Sequence, residues 1–123
     1  MTLQELYQEI GGDYNQAISV LRMENLIDKH IRKLTKNGVI SQLLAAGESL
    51  DHTQMFEAAH AIKGVCGNLG LRTLANMASE IADEFRAGNS RKMTDDEVRE
   101  KLKAIEVQYR RTEDGIRRYE EQE

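Results

Sequence analysis

His60 stands in the run Ala59-His60-Ala61-Ile62-Lys63-Gly64-Val65-Cys66-Gly67-Asn68-Leu69-Gly70. On a helix, successive residues turn by about 100°. With His60 at zero, Lys63, Gly64 and Gly67 fall within about 60° of it. Met55, Ala59, Ile62, Cys66 and Leu69 cluster on the far side, near about 220°. The histidine therefore faces away from an apolar stripe, beside a lysine and two bare patches of backbone. Glycine inside a helix costs about 1 kcal/mol against alanine. Two of them beside a histidine and a lysine imply that something approaches the imidazole closely.

The chemistry this permits is phosphoryl transfer. An exposed imidazole is largely neutral near about pH 7, and its ring nitrogen can attack a phosphoryl group. The product would carry nearly two negative charges, as other phosphorylated side chains do. Lys63, one turn away, is a mobile positive charge that can reach such a group. Gly64 and Gly67 leave room for a partner's active site to enclose the ring. The bland alternative is a surface histidine with glycines that serve helix packing, but four positions agree on one mechanism.

Other residues weigh less. No HExxH, CxxC or Gly-rich phosphate loop is present, so no metal site is expected. His30 lies beside an apolar stripe, and His52 opens the His60 helix, where exposure is expected. Cys66 falls on the core stripe and is read as a small buried apolar residue. Phe56 rotates to about 40° from His60. It is either an apolar contact for a docking partner or a packing contact for the first helix, and the sequence leaves both open. Arg110-Arg111 and Arg117-Arg118 sit among acids and are read as a solvated face.

The elements that must hold this face are helices. The chain has 123 residues, no proline and no tryptophan, which suits a single helical domain over 1–123. Thr2 and Glu5 form a capping-box pattern ahead of Leu3, Leu6, Tyr7 and Ile10, and Gly11-Gly12 ends that short helix. Asp13 can cap a second short piece with Ala17, Ile18 and Leu21. From Met23, Ile27, Ile31 and Leu34 hold one face, and Val39, Ile40, Leu43 and Leu44 resume it until Gly47. Asn37-Gly38 either kinks or interrupts this stretch. Asp51 can cap the His60 helix. Leu71, Leu74, Ala78, Ile81 and Phe85 mark the next helix, which Gly88-Asn89 closes. A second capping box at Thr94 and Glu97 starts a long last helix lined by Val98, Leu102, Ile105, Tyr109, Ile116 and Tyr119. Its last turns, rich in Glu, Arg and Gln, are expected to fray. The pattern predicts an all-α antiparallel four-helix bundle, with its core at about residues 23–119 and short N-terminal helices over 2–21 packed across one end.

Net charge is −4 and the pI is near 5.4, which argues against a nucleic-acid binder. One cysteine excludes an internal disulfide and fits a reducing cytoplasm. No apolar run approaches a membrane span, and the first residues lack the pattern of a signal peptide.

Ala59-His60-x-x-Lys63-Gly64, with Gly67 and Gly70 following, resembles the histidine-containing phosphotransfer (HPt) domain of two-component phosphorelays. Gly12-Asp13-Tyr14, the helix before Gly47 and Ala87-Gly88-Asn89 also look like this family, so the likeness covers about residues 1–110. The resemblance implies that His60 accepts a phosphoryl group from a receiver-domain aspartate and passes it to another receiver. It implies no kinase activity, no cofactor, and Mg²⁺ supplied by the receiver. Lys63 would steady the phosphate, and Gly64 would let the receiver dock. Partners would be response-regulator receiver domains and a hybrid or sensor histidine kinase, with a cytoplasmic monomer expected. The chain's start and charged end favour a separate protein. One departure stands out: members often carry Gln or Glu on the next helix to hydrogen-bond the imidazole, where this chain has Ala82. The row Ala75, Ser79, Ala82, Arg86 could face His60, and Arg86 either adds charge near the phosphate or is an ordinary solvated arginine. The alternatives in function are a phosphorylation-independent helical adaptor and the phosphodonor domain of a chemotaxis-type kinase.

Overall fold

Local caps set the helix starts. In the computed structural model, which describes residues 1–122, seven helices follow one another: α1 (Leu3–Ile10), α2 (Tyr14–Leu21), α3 (Glu24–Lys33), α4 (Val39–Ser49), α5 (His52–Asn68), α6 (Arg72–Phe85) and α7 (Asp95–Glu121). Both capping boxes form. The Thr2 hydroxyl accepts from the Glu5 N–H at 3.1 Å while the Glu5 carboxylate accepts from the Thr2 N–H at 2.9 Å. Thr94 and Glu97 repeat the arrangement at 3.1 Å each way. Asp13 and Asp51 cap α2 and α5 by accepting from Gln16 and Gln54. Among the described residues there is no strand, and no helix is long and apolar enough to cross a membrane.

Helices α4 to α7 form the four-helix bundle, each packed on its neighbours in a closed ring, with the largest contact between α5 and α6. Short joints at Leu50-Asp51 and Leu69-Leu71 make successive helices antiparallel. The stripes foreseen on α5, α6 and α7 are buried: Met55, Ile62, Cys66, Leu74, Ile81, Val98, Ile105 and Tyr109 among them. Asn37-Gly38 interrupts the stretch from Met23, so α3 and α4 are two helices. Gly38 takes a left-handed φ of +70°, and the Tyr109 hydroxyl donates to the Leu34 carbonyl at 2.9 Å, fixing the break from α7. Helix α3 packs on α2 and α7 as a further short helix. Helix α4 runs past Gly47 to Ser49, and α6 stops at Phe85, ahead of Gly88-Asn89.

The N-terminal corner grips the α5–α6 turn. The Asp13 N–H donates to the Gly70 carbonyl at 2.8 Å, and the Tyr7 hydroxyl donates to the Leu69 carbonyl at 2.7 Å. Gly70 sits at φ +69°, and a Cβ there would lie 2.2 Å from the Asp13 carbonyl oxygen. The other end of α6 is tied by the buried Glu84 carboxylate. It accepts from Arg91 Nε at 2.7 Å, from the Met93 N–H at 2.9 Å and from the Lys92 N–H at 3.1 Å, ordering the loop into α7.

The last turns of α7 stay helical to Glu121 and are tied to α1 and α3. Tyr119 donates to Asp28, Arg118 pairs with Glu9, and Arg32 lies over the Tyr119 ring at 5.0 Å. The arginine pairs are likewise more than a solvated face. Arg110 pairs with the buried Glu113 at 2.8 Å, and Arg117 reaches the same carboxylate at 3.9 Å.

Two predictions follow from these ties. Gly70→Ala combines a left-handed φ with a backbone clash and should destabilise the protein by more than about 2 kcal/mol in urea unfolding. Burial works to raise the Glu84 carboxyl, but Arg91 and the Met93 and Lys92 amides outweigh it and hold it below its ordinary value of 4.5. A depressed folded value gives stability that is complete above the unfolded value and is lost as pH falls through the folded one. The stability gap between wild type and Glu84→Gln should therefore shrink as pH is lowered below 4.5, read from unfolding midpoints across pH.

Candidate functional site

Helix α5 is two-faced because its apolar residues recur every three or four positions. Met55, Ala59, Ile62 and Cys66 are fully buried, and His60 is exposed on the opposite side. The Cys66 thiol is pushed up to about 12 by burial, which leaves it protonated and inert as a nucleophile. His30 and His52 are both exposed, and the His52 ring meets Phe85 edge-on at 5.2 Å. Among the described residues, no group of three His, Cys, Asp or Glu side chains is placed to hold a metal ion.

Lys63 and Gly64 follow His60 by one turn, and Gly67 by two. Lys63 is half-buried along its stem and has no ion-pair partner among the described residues. Its ammonium is thus uncommitted. The glycines differ in what surrounds them. A Cβ on Gly12, Gly47, Gly70 or Gly115 would meet other atoms of the chain at 2.2 to 2.7 Å. A Cβ on Gly64 or Gly67 would meet nothing within 4 Å, and both have ordinary helical φ. The fold has no use for glycine at these two positions.

Phe56 precedes His60 by one turn and is half-buried. Its ring stacks on the imidazole with centroids 5.4 Å apart and planes 15° apart. The Arg86 guanidinium lies over the same ring, 5.3 Å from its centre. Arg86 also pairs with Asp83 at 3.0 Å. Thus Phe56 meets Arg86, the residue just past α6, and Arg86 is engaged by a carboxylate and a ring. An open groove of ≈ 400 Å³ runs beside them, lined by His52, Thr53, Phe56, Phe85, Arg86 and Asn89. Ala82 is fully buried, and Ala75 and Ser79 are partly so, so of that row Arg86 alone lies in the open. Among the described residues no hydrogen bond reaches the His60 ring. The stacked pair was missed in the sequence, although the i, i+4 spacing of two planar side chains was a signal for it.

One face of α5 thus carries the exposed His60 beside Lys63, which has no ion pair among the described residues, and two glycines that nothing in the chain crowds. A family model described as the Hpt domain matches residues 3–114. The chain belongs to this family, whose members carry phosphoryl groups on histidine in phosphorelays and work with receiver domains and histidine kinases. No curated protein and no solved structure matches the chain.

Because nothing in the chain opposes a side chain at Gly64 or Gly67, alanine should gain helix propensity there. Gly64→Ala and Gly67→Ala should each stabilise the folded protein by about 1 kcal/mol, seen as a higher unfolding midpoint. A loss of stability in either variant would show a structural need for the glycine.

Proposed function

We propose that His60 is the phosphoacceptor of a histidine phosphotransfer protein that takes a phosphoryl group from a receiver-domain aspartate and passes it to another receiver. The observation that carries this is the combination of an exposed His60 with Gly64 and Gly67, two helical glycines that cost stability and that the fold does not require. A residue type that weakens its own helix is explained by a surface that must come close to it.

In this reading, the ring-nitrogen lone pair forms the N–P bond as the P–O bond of the aspartyl phosphate breaks. The aspartate leaves as a carboxylate, and the reverse transfer to a second receiver restores the imidazole. Lys63 balances the charge that arrives, since its ammonium has no competing carboxylate. Arg86 is a secondary source of positive charge, because Asp83 already engages it. Gly64 and Gly67 form the docking surface. The chain needs no cofactor of its own, and Mg²⁺ belongs to the receiver. It carries the group without kinase activity, as a cytoplasmic monomer, with no nucleic acid or membrane as partner.

Acid-labile phosphate uptake tests this. The protein is mixed with phosphorylated receiver domains and Mg²⁺, alongside His60→Gln and Gly64→Gln. Wild type should be labelled, and His60→Gln should take up nothing while remaining folded by circular dichroism. Gly64→Gln should stay folded and lose most of the transfer rate. Label on His60→Gln would move the acceptor elsewhere. Binding of receivers without any label on wild type would favour a phosphorylation-independent adaptor.

A further inference from the structure

An exposed histidine on a helix ordinarily samples more than one staggered rotamer. Long side chains on helices lean back over the preceding turn, so the residue four positions earlier is the natural support for the ring. At His60 that residue is Phe56, and the two rings lie nearly parallel, at 15°, with a 5.4 Å centroid separation. This lies within the range of offset stacking. Phe56 is itself restrained. Its ring packs against the core as a partly buried side chain, and the Arg86 guanidinium lies over it at 5.3 Å, within cation–π range. Arg86 in turn is held at 3.0 Å by Asp83 on the last turn of α6. A chain of contacts therefore runs from α6 through Arg86 and Phe56 to the imidazole.

We propose that Phe56, steadied by Arg86, is the positioning residue for His60: it fixes the plane of the imidazole by stacking, with no hydrogen bond to either ring nitrogen. The inference deepens the phosphotransfer reading and rests on it. The geometry suits that reaction, because the nitrogen lone pair that attacks phosphorus lies in the plane of the ring. A stack covers a face of the ring and leaves its edges free. A hydrogen-bonding partner would instead occupy one nitrogen and fix one tautomer. Stacking holds the plane and allows the ring to turn over about its Cβ–Cγ bond while keeping the same contact. Buried Ala82, which has no polar side-chain atom, cannot supply the alternative restraint.

The test compares Phe56→Leu, which keeps apolar volume and loses the aromatic face, with Phe56→Tyr, which keeps the ring. Proton NMR of the unphosphorylated protein reads the stack directly through the ring current of Phe56 on the His60 Hδ2 and Hε1 resonances. These should lie upfield in wild type and Phe56→Tyr and move toward free-histidine positions in Phe56→Leu. That readout stands even if no receiver donates phosphate, so failure of the stack and failure of the phosphotransfer reading are distinguishable. With a donating receiver, Phe56→Leu should lower kcat by about tenfold with KM changed less than about twofold, and Phe56→Tyr should restore it. Unshifted His60 resonances in Phe56→Leu would overturn the proposal. So would a loss confined to KM, which would make Phe56 a docking contact alone.

Discussion

The close pairing of α5 with α6 is the constraint on which the site depends. Each helix buries a row that includes small side chains, Ala59 and Cys66 on α5 and Ala78 and Ala82 on α6. Small residues let backbones approach and leave little freedom to rotate. Once α5 is fixed in this way its opposite face is fixed too, and that face carries His60. The turn joining the two helices is gripped by Asp13 and Tyr7, and the far end of α6 is tied by Glu84. The imidazole therefore rises from a helix restrained along its length by contacts on the other side.

The same pairing explains what surrounds the ring. The α6 row at Ala75, Ser79 and Ala82 is partly or wholly buried, so α6 offers His60 no long polar side chain from there. Only where α6 ends does it reach toward the α5 surface, through Arg86. That side chain lands on Phe56 before it could reach His60. Support for the imidazole thus comes from its own helix, one turn back. Lys63, one turn forward, carries the positive charge that the proposed transfer assigns to the phosphate.

Periodicity made the two faces of α5 legible, because burial on a helix follows spacing alone. The exposure of His60 and the burial of Cys66 needed nothing more. The same holds for the two capping boxes and the stripe on α7, which are local in sequence. What was not legible depended on distant partners. The break at Asn37-Gly38 was compatible with a kink or a stop, and Tyr109 decides it from 75 residues away. The end of α7 looked polar enough to fray, yet Tyr119 and Asp28 are joined across 91 residues. Arg110 and Arg117 looked solvated because the buried Glu113 between them resembles any surface acid in the sequence. The Phe56–His60 stack lies between these cases. Its spacing was visible, but the choice between partner contact and packing required knowing that Arg86 comes over the ring.

Glycine gives the most economical argument from structure to function. In sequence, Gly47, Gly64, Gly67 and Gly115 look alike, since each interrupts a helical pattern. In space they separate. Gly47 faces Leu102 and Gly115 faces Ile10, and a methyl group at either would overlap those side chains. Their lack of a side chain is used within the fold. Gly64 and Gly67 have open space where the methyl group would be, so the lost helix propensity, about 1 kcal/mol at each, is not recovered inside the chain. On the docking reading, that cost is offset when a partner closes on the helix. Both glycines lie on the histidine's side of α5, the side where the proposed docking puts the partner.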